Sequence, residues 1–235
     1  MNLRLIFLFL LTFTLSSCVS TSTRQDVSRH DLRILTMGDS MMAAHRISGR
    51  AISDSVARHL NNPVNDRSVL GARMLYALPI TGSMGLNISQ QFRGGSWDWV
   101  IVNGGGNDLW LGCGCNICDR KMNKMITRDG QYGVIPDLVS RIRATGAQVL
   151  WLGYLRSPGV GSPIEGCREE GNALENRIIA LSAQTAGMHY MSLADLVPYG
   201  DRSYHGIDMI HPSLKASAEI GARAAAIIRH LSFRE

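Results

Sequence analysis

The chain has 235 residues, of which 45% are hydrophobic and 18% are charged, and its formal net charge is +5. This composition is typical of a globular protein, and no repeat or low-complexity stretch interrupts it. Its basic residues are scattered rather than interleaved with aromatics, which argues against a nucleic-acid partner, and we attribute the excess charge to solubility beside an anionic membrane. After the first 31 residues about 200 remain, enough for one compact domain.

The first residues predict export. Asn2 and Arg4 precede an apolar run at residues 5–15 that is interrupted only by two threonines. Because a bilayer crossing needs about 20 apolar residues, this run is too short to span a membrane. A short basic start, a short apolar core and small residues before a cleavage site are typical of a secretory signal.

The end of this signal carries a cysteine. Residues 15–18, Leu-Ser-Ser-Cys, resemble the cleavage site of bacterial lipoproteins, which implies that residues 1–17 are removed and that Cys18 receives the lipid. Residues 18–31, rich in Ser and Thr, would then form a flexible tether, and the acyl chains would hold the protein on a membrane of the cell envelope, facing the periplasm. The alternative is an ordinary signal peptide in which Cys18 is incidental.

From residue 32 onward, predicted strands alternate with predicted helices. Ile52, Val56 and Leu60 recur four residues apart, as in an amphipathic helix, and β-branched and aromatic residues concentrate before the glycine run at 104–106, as in a buried strand. The predicted elements are, in chain order, strand 32–37, helix 48–60, strands 65–70 and 97–102, helix 134–144, strand 148–154, helix 169–186, strand 189–193 and helix 213–231. This alternation predicts a three-layer α/β/α sandwich with a five-stranded parallel sheet, forming one domain at 32–235.

Residues suited to catalysis follow four of these strands. Ser40 comes after the first strand, Gly71 after the second, Asn107 after the third and His211 after the fifth. Because ligands of open parallel sheets bind outside the carboxyl ends of the strands, we expect all four on one rim. Ser40 ends the triplet Gly-Asp-Ser, and a serine at a sharp strand-to-helix turn exposes its hydroxyl, as a nucleophile requires. The triplet alone is weak evidence, because Gly-x-Ser occurs in many turns.

A carboxylate lies three residues before the histidine. Asp208 and His211 precede Pro212, which suits the first position of a helix and biases His211 away from helical geometry. The resulting turn can fold Asp208 onto the His211 ring and fix its tautomer, so that the other ring nitrogen takes a proton from Ser40. The alternative for this segment alone is a capping aspartate beside a solvated histidine, but Ser40 on the same rim favours a triad.

Acyl transfer also requires donors for the developing oxyanion. The candidates are the backbone N–H of Ser40, the backbone N–H of Gly71, where no side chain obstructs a close approach, and the side-chain amide of Asn107. The glycines at 104–106 would let this loop approach the substrate closely. The alternative is that Gly71 and the glycine run form only tight turns, which accounts less well for Asn107.

Four of these motifs resemble, in order and spacing, the four blocks of the SGNH branch of the GDSL hydrolases. They are residues 38–40, Gly71, residues 105–108 and residues 208–211, and the likeness spans residues 32–231. It implies a flavodoxin-like sandwich that hydrolyses esters or thioesters through an acyl-enzyme, with no cofactor. The roles it implies are Ser40 as nucleophile, His211 as base, Asp208 as orienting acid, and Ser40, Gly71 and Asn107 as donors of the oxyanion hole.

The residues around the serine differ from related patterns. Met41 and Met42 follow Ser40, where the family usually has leucine or isoleucine, and we expect this apolar replacement to leave catalysis intact. Asp39 and Asp108 have no chemical role in this scheme, and we expect both to form hydrogen bonds within their loops. The order Ser, Asp, His also suits the α/β-hydrolases, but Met42 occupies the place of the last glycine in their Gly-x-Ser-x-Gly motif.

Four cysteines lie beside the predicted site. Cys113, Cys115 and Cys118 fall within a predicted flap at 109–130, and Cys167 follows a loop rich in glycine and proline. Four thiolates suit a structural zinc ion, but exported cysteines usually pair as disulfides. We therefore predict two disulfides and no metal, with Cys167 bonded to one of the other three, while all three pairings of four cysteines stay open.

Together these features predict a membrane-tethered serine esterase that acts on acyl groups of envelope polysaccharide, lipid or small esters. The alternative is a non-catalytic binding or metal-binding lipoprotein on an esterase scaffold, and the complete set of Ser, Asp, His and Asn argues against it. No motif identifies the acyl or the alcohol part of the substrate. Trp110 and Tyr154 are candidates to line the pocket, although aromatics near strand ends are more often core residues.

Overall fold

The computed structural model describes residues 32–233, which are built around a parallel sheet. Its strands are β1 (Ile34–Met37), β2 (Val64–Asp66), β3 (Trp99–Val102), β4 (Gln148–Leu152) and β5 (Met188–Met191). They lie side by side in the order β2-β1-β3-β4-β5, and every neighbouring pair is parallel. This confirms the predicted five-stranded parallel sheet.

The second strand starts earlier and is shorter than the segment predicted at 65–70. Asp66 ends it, because its Oδ1 accepts hydrogen bonds from the backbone N–H of Ser68 (2.9 Å) and from the Ser68 hydroxyl (2.6 Å). Such a side-chain turn bends the backbone out of the sheet. The N–H of Val69 then donates to the carbonyl of Gly38 (3.1 Å), so the connection from β2 to β3 begins at the rim beyond β1.

Helices connect the strands and cover both faces of the sheet. They are α1 (Ser40–Ala43), α2 (Ile52–Leu60), α3 (Pro79–Thr81), α4 (Ile88–Gln91), α5 (Gly106–Cys113), α6 (Asp119–Met125), α7 (Val134–Arg143), α8 (Arg168–Gln184) and α9 (Leu214–Ser232). The predicted helices are present as α2, α7, α8 and α9, with small differences at their ends. The flap predicted at 109–130 is built largely from α5 and α6, which the sequence pattern does not reveal.

Successive strand residues face two separate apolar layers. Leu35 and Val100 pack on one face of the sheet with residues of α7 and α8, whereas Ile34 and Ile101 pack on the other face with residues of α2 and α9. These side chains are fully or almost fully buried. A parallel sheet between two helical layers is the three-layer α/β/α sandwich that the sequence predicts.

The strand order changes direction at β1, and this places the site. Because β2 lies on one side of β1 and β3 on the other, the connections after β1 and β3 diverge and open a crevice at the carboxyl ends of the strands. Gly38 makes the turn after β1 with φ of +150°. A Cβ there would lie 2.0 Å from Oδ1 of Asn103, so only glycine fits between the ends of β1 and β3.

The predicted signal at 1–17 and tether at 18–31, with Cys18, lie outside the described residues and stay predictions. The domain predicted at 32–235 is described as far as residue 233. Between residues 32 and 233, no helix has the length and apolar character that a bilayer crossing requires.

Candidate active site

Ser40 occupies the first position of α1, directly after the turn that ends β1. The buried side chain of Gln91 holds this turn on both sides: its Oε1 accepts from the Gly38 N–H (2.7 Å) and its Nε2 donates to the Gly38 carbonyl (2.9 Å). Asp39 caps the helix, since its Oδ1 accepts from the N–H of Met41 (2.9 Å). A firmly held turn therefore presents Ser40 to a cavity while its neighbours in sequence are buried.

Asp39, which follows β1, is only 2% exposed. Its carboxylate is hydrogen-bonded to residues that follow β3 and β4. The hydroxyl of Tyr154, which follows β4, donates to Asp39 Oδ2 and accepts from the N–H of Gly106 (2.9 Å). Asn103, after β3, donates through Nδ2 to Asp39 Oδ1 (3.2 Å). Burial raises the pKa of Asp39, and the hydrogen bonds that it accepts oppose this rise. Asp39 thus forms the predicted loop hydrogen bonds, and Tyr154 extends them to the start of α5.

Asn107 lies in the first turn of α5, across the crevice from Ser40. Its Nδ2 donates one hydrogen to the carbonyl of Ala72 (3.0 Å), which orients the amide and leaves its second hydrogen for another acceptor. The neighbouring Asp108 accepts from the N–H groups of Met74 and Leu75 (both 2.8 Å). Burial raises the pKa of Asp108, and these two hydrogen bonds oppose the rise. Asp108 therefore ties the connection after β2 to α5, as expected for a loop-bonding residue.

Gly71 lies at the same rim but is more peripheral than the other predicted oxyanion donors. Its φ is +75°, in the left-handed region that favours glycine. In the part of the chain that the structure describes, the backbone N–H groups of Ser40 and Gly71 have no hydrogen-bond acceptor. Ser40, Asn107 and His211 line one cavity, whereas Gly71 is exposed beside it.

His211 reaches this cavity from the connection between β5 and α9, and Asp208 supports it from behind. Asp208 Oδ2 lies 2.6 Å from His211 Nδ1, and Asp208 Oδ1 accepts from the backbone N–H groups of Ile210 and His211 (both 3.0 Å). Partial burial raises the pKa of Asp208, but the hydrogen bonds from the ring and the two N–H groups outweigh this and lower it to about 2. Because an ionised carboxylate only accepts, Nδ1 carries a hydrogen, and in the neutral ring this tautomer has its lone pair on Nε2.

The cavity that these residues share has a volume of about 370 Å³. Its other walls are mainly apolar and include both predicted aromatics, Trp110 and Tyr154, together with Leu109, Leu155, Ile164, Leu174 and Val197. Arg156 also lines the cavity and forms an ion pair with Glu175. No sequence motif indicates that this arginine lies at the site. Among the described residues the Ser40 hydroxyl makes no hydrogen bond. In enzymes without bound substrate, the hydrogen bond between a serine and its general base is often long, and it shortens only when substrate binds.

The four cysteines of the described chain form two disulfides. Cys113 is bonded to Cys118, and Cys115 is bonded to Cys167. The predictions that these cysteines pair, and that Cys167 pairs with one of the other three, are confirmed. Cys167 lines the cavity, so the second disulfide ties the start of α8 to the end of α5 beside the site.

The two disulfides are expected to contribute unequally to stability. Cys115 and Cys167 are 52 residues apart, whereas Cys113 and Cys118 are only 5 apart. Because a cross-link removes more freedom from the unfolded chain when its loop is longer, C115S/C167S should lower the free energy of unfolding by about 4 kcal/mol, and C113S/C118S by about 2 kcal/mol. Urea unfolding of the three proteins measures both losses. Equal losses would contradict the loop-length argument.

A family model agrees with this site. The model of the GDSL-like lipase/acylhydrolase family matches residues 36–218, a range that includes Ser40, Asn107 and His211. The chain belongs to the GDSL-like lipase/acylhydrolase family. It is accordingly an ester hydrolase of the SGNH/GDSL type, as the four sequence motifs predict. A search of curated protein sequences gave no significant match.

Solved structures share the fold of this acylhydrolase at low sequence identity. A protein from Slackia heliotrinireducens, described as a proposed SGNH hydrolase, is 17% identical with a TM-score of 0.60, over 83% of this chain and 97% of its own. A family two carbohydrate esterase from Clostridium thermocellum, solved with cellohexaose, is 17% identical with a TM-score of 0.56, over 86% and 65%. An acetyl xylan esterase from Butyrivibrio proteoclasticus is 15% identical with a TM-score of 0.57, over 88% and 66%. These likenesses show the fold.

Tyr154 is expected to matter for the rate because it holds both sides of the crevice. Tyr154→Phe removes the hydroxyl that bonds Asp39 and the N–H of Gly106. Because a misplacement of reacting groups by about 1 Å can lower a rate by ~10²-fold, we expect kcat to fall about ten- to a hundredfold with little change in KM. The matched control is Tyr190→Phe, which removes a hydroxyl bonded to Glu175 instead. Steady-state kinetics of both variants test this, and equal losses of kcat would contradict it.

Proposed function

We propose that the protein hydrolyses carboxylic esters or thioesters through an acyl-enzyme on Ser40. The observation that carries this proposal is the His211 ring, which lines the same cavity as Ser40 and Asn107 while Asp208 holds its Nδ1 at 2.6 Å. Nδ1 carries a hydrogen in this pairing, so Nε2 is free to accept the Ser40 proton as the hydroxyl oxygen attacks the ester carbonyl.

The remaining steps use the donors around the crevice. As the carbonyl oxygen becomes an oxyanion, it accepts hydrogen bonds from the N–H groups of Ser40 and Gly71 and from the second amide hydrogen of Asn107. Protonated His211 then donates to the departing alcohol, which leaves the acyl group on Ser40. Water then attacks the acyl carbon while His211 removes its proton. The second tetrahedral intermediate breaks its bond to the Ser40 oxygen, which regains the proton from His211 as the acid leaves.

The shape and polarity of the cavity support an acyl group longer than acetyl. The cavity of about 370 Å³ has room for more than the two carbons of an acetyl group. Its walls beyond Ser40 include Leu109, Leu155 and Leu174, which suit an acyl chain of intermediate length. We propose O-acyl groups of envelope lipid or polysaccharide as substrates, and the fold shared with carbohydrate esterases supports the polysaccharide option.

Two assays on the purified full chain test the activity. A series of p-nitrophenyl esters from acetate to decanoate, with acetylated xylan as a carbohydrate substrate, should give turnover that is highest for an acyl chain longer than two carbons. A fluorophosphonate probe should label the peptide that contains Ser40, as mass spectrometry of a digest would show. Absence of both turnover and labelling would contradict an esterase and leave a non-catalytic binding protein.

We further propose that the protein is a lipoprotein of the cell envelope, anchored through Cys18 and facing the periplasm. The Leu-Ser-Ser-Cys sequence after a short apolar run supports this proposal. Cys18→Ser should remove the lipid mass from the mature protein and move it from the membrane fraction to the soluble fraction of fractionated cells. Retention of Cys18→Ser protein with an unchanged mature mass would contradict the lipid anchor.

A further inference from the structure

The connection between β2 and β3 presents a cluster of exposed apolar side chains, which we call the apolar patch. Its members are each between 63% and 76% exposed, and they are Leu70, Leu78, Ile80 and Met84. Three of them fall within seven residues around α3. Isolated exposed apolar residues are common on protein surfaces, whereas clusters of this kind mark surfaces that contact something else.

The segment that carries the apolar patch is firmly held. The N–H of Arg73 donates to the carbonyl of Leu86 (2.9 Å), and the N–H of Ile88 donates back to the carbonyl of Arg73 (3.0 Å). Gln91 Nε2 donates to the carbonyl of Gly85 (2.8 Å), and Ile88 is fully buried. The exposed side chains therefore project from an ordered support, so their exposure does not result from a loose loop.

The charge of this connection has a single sign. Residues 67–97 contain Arg67, Arg73 and Arg93 but neither aspartate nor glutamate. Within the described chain, none of these arginines has a carboxylate oxygen within 4.0 Å. Arg93 donates to the carbonyl of Ser83 (2.9 Å), which places a cation beside the patch. Arg67 instead stacks on Trp97, and both Arg67 and Arg73 are partly buried, so Arg93 is the exposed cation of this connection. An apolar patch beside an exposed arginine, on a connection without a carboxylate, matches the interface of an anionic bilayer, where headgroup phosphates lie above acyl chains.

The same connection forms one side of the catalytic crevice. The carbonyl of Ala72 accepts the Asn107 amide, and the N–H groups of Met74 and Leu75 bond Asp108. The apolar patch therefore belongs to the segment that holds the oxyanion side of the site. A surface bound by the patch would lie next to the rim where ester substrates enter.

We propose that the apolar patch docks the protein on the surface of an anionic lipid bilayer. Leu78, Ile80 and Met84 enter the boundary between headgroups and acyl chains, and the exposed Arg93 contacts lipid phosphates. Docking in this way turns the rim of the sheet toward the membrane. This interaction is separate from ester hydrolysis, and it acts in addition to any lipid on Cys18.

Hydrogen–deuterium exchange of the full chain tests the docking locally, so that an N-terminal anchor does not obscure it. Exchange in residues 70–86 is compared without vesicles, with phosphatidylcholine vesicles, and with vesicles of phosphatidylcholine and phosphatidylglycerol at 7:3. We expect at least threefold slower exchange on the anionic vesicles, a smaller effect on the neutral ones, and partial reversal by added salt. The variant L78S/I80S/M84S should lose this protection, whereas the control Ile179→Ser, at an exposed apolar position on α8, should keep it.

Three results would overturn the proposal. The first is equal exchange in residues 70–86 under all three conditions. The second is protection that appears without vesicles and grows with protein concentration, because it would assign the patch to a second copy of the chain. The third is protection without vesicles that disappears when residues 5–15 are deleted, because it would assign the patch to the chain's own apolar N-terminal run. Turnover of a soluble p-nitrophenyl ester by L78S/I80S/M84S, measured in parallel, shows that the variant is folded.

Discussion

Ser40→Ala is expected to lower kcat/KM for p-nitrophenyl esters by about 10⁴-fold or more, because it removes the proposed nucleophile. Ser40 is the first residue of α1, and the bonds that hold its turn come from Gly38, Asp39 and Gln91. None of them involves the Ser40 side chain, so the variant should fold normally. Turnover is measured beside a circular dichroism melt, which should be unchanged.

The same experiment tests whether Ser40 and His211 act as one unit. If they do, Ser40→Ala, His211→Ala and the double variant should lose similar amounts of activity, since removing either member disables the same step. The matched control is Ser48→Ala, an exposed serine whose hydroxyl donates to the carbonyl of His45; it should retain full activity. Losses that multiply in the double variant would show that the two residues act independently.

The architecture follows from local patterns that the sequence shows directly. Helices α2, α7, α8 and α9 have apolar spacing that predicts them, and β1, β3 and β4 are short segments in which apolar residues predominate. The apolar spacing does not predict helices α5 and α6, because both are short. In addition, α5 begins with Gly-Asn-Asp, which are weak helix formers. Gly114, in the left-handed region, ends α5. A glycine can be recognised as the end of a helix only when the helix before it has been predicted.

The sequence predicts the site residues whose positions depend only on the order and direction of the strands. Because parallel strands end at one rim, Ser40, Asn107 and His211 come together although they lie far apart in sequence. The bond from Tyr154 to Asp39 joins residues 115 positions apart, and the choice of Cys115 as the partner of Cys167 depends on how α5 meets the start of α8. Such contacts depend on side-chain packing in three dimensions, for which a single sequence carries no local signal.

Asp208→Asn is expected to lower kcat by about 10²- to 10⁴-fold by inverting the tautomer of His211. Two backbone N–H groups donate to Asp208 Oδ1, so an asparagine there must place its carbonyl oxygen on them and turn its NH₂ group toward Nδ1. Nδ1 then accepts, and the hydrogen moves to Nε2, which can no longer take the Ser40 proton. Steady-state kinetics measures the loss, and Asp195→Asn, a mostly exposed aspartate paired with Arg223, is the matched control.

The pH dependence separates this role from a purely structural one. The folded pKa of Asp208 is lowered to about 2 from 3.8, so the ionised carboxylate favours the folded state above pH 4 and that contribution is lost as the pH falls through about 2. Any fall in kcat/KM as the pH is lowered toward 4 is therefore caused by protonation of a group other than Asp208. In Asp208→Asn the activity should be low across pH 5 to 9 while the melting temperature at pH 7 changes by only a few degrees. Full activity in this variant would mean that Asp208 does not set the His211 tautomer, and a loss matched by unfolding would reduce Asp208 to a structural residue of its turn.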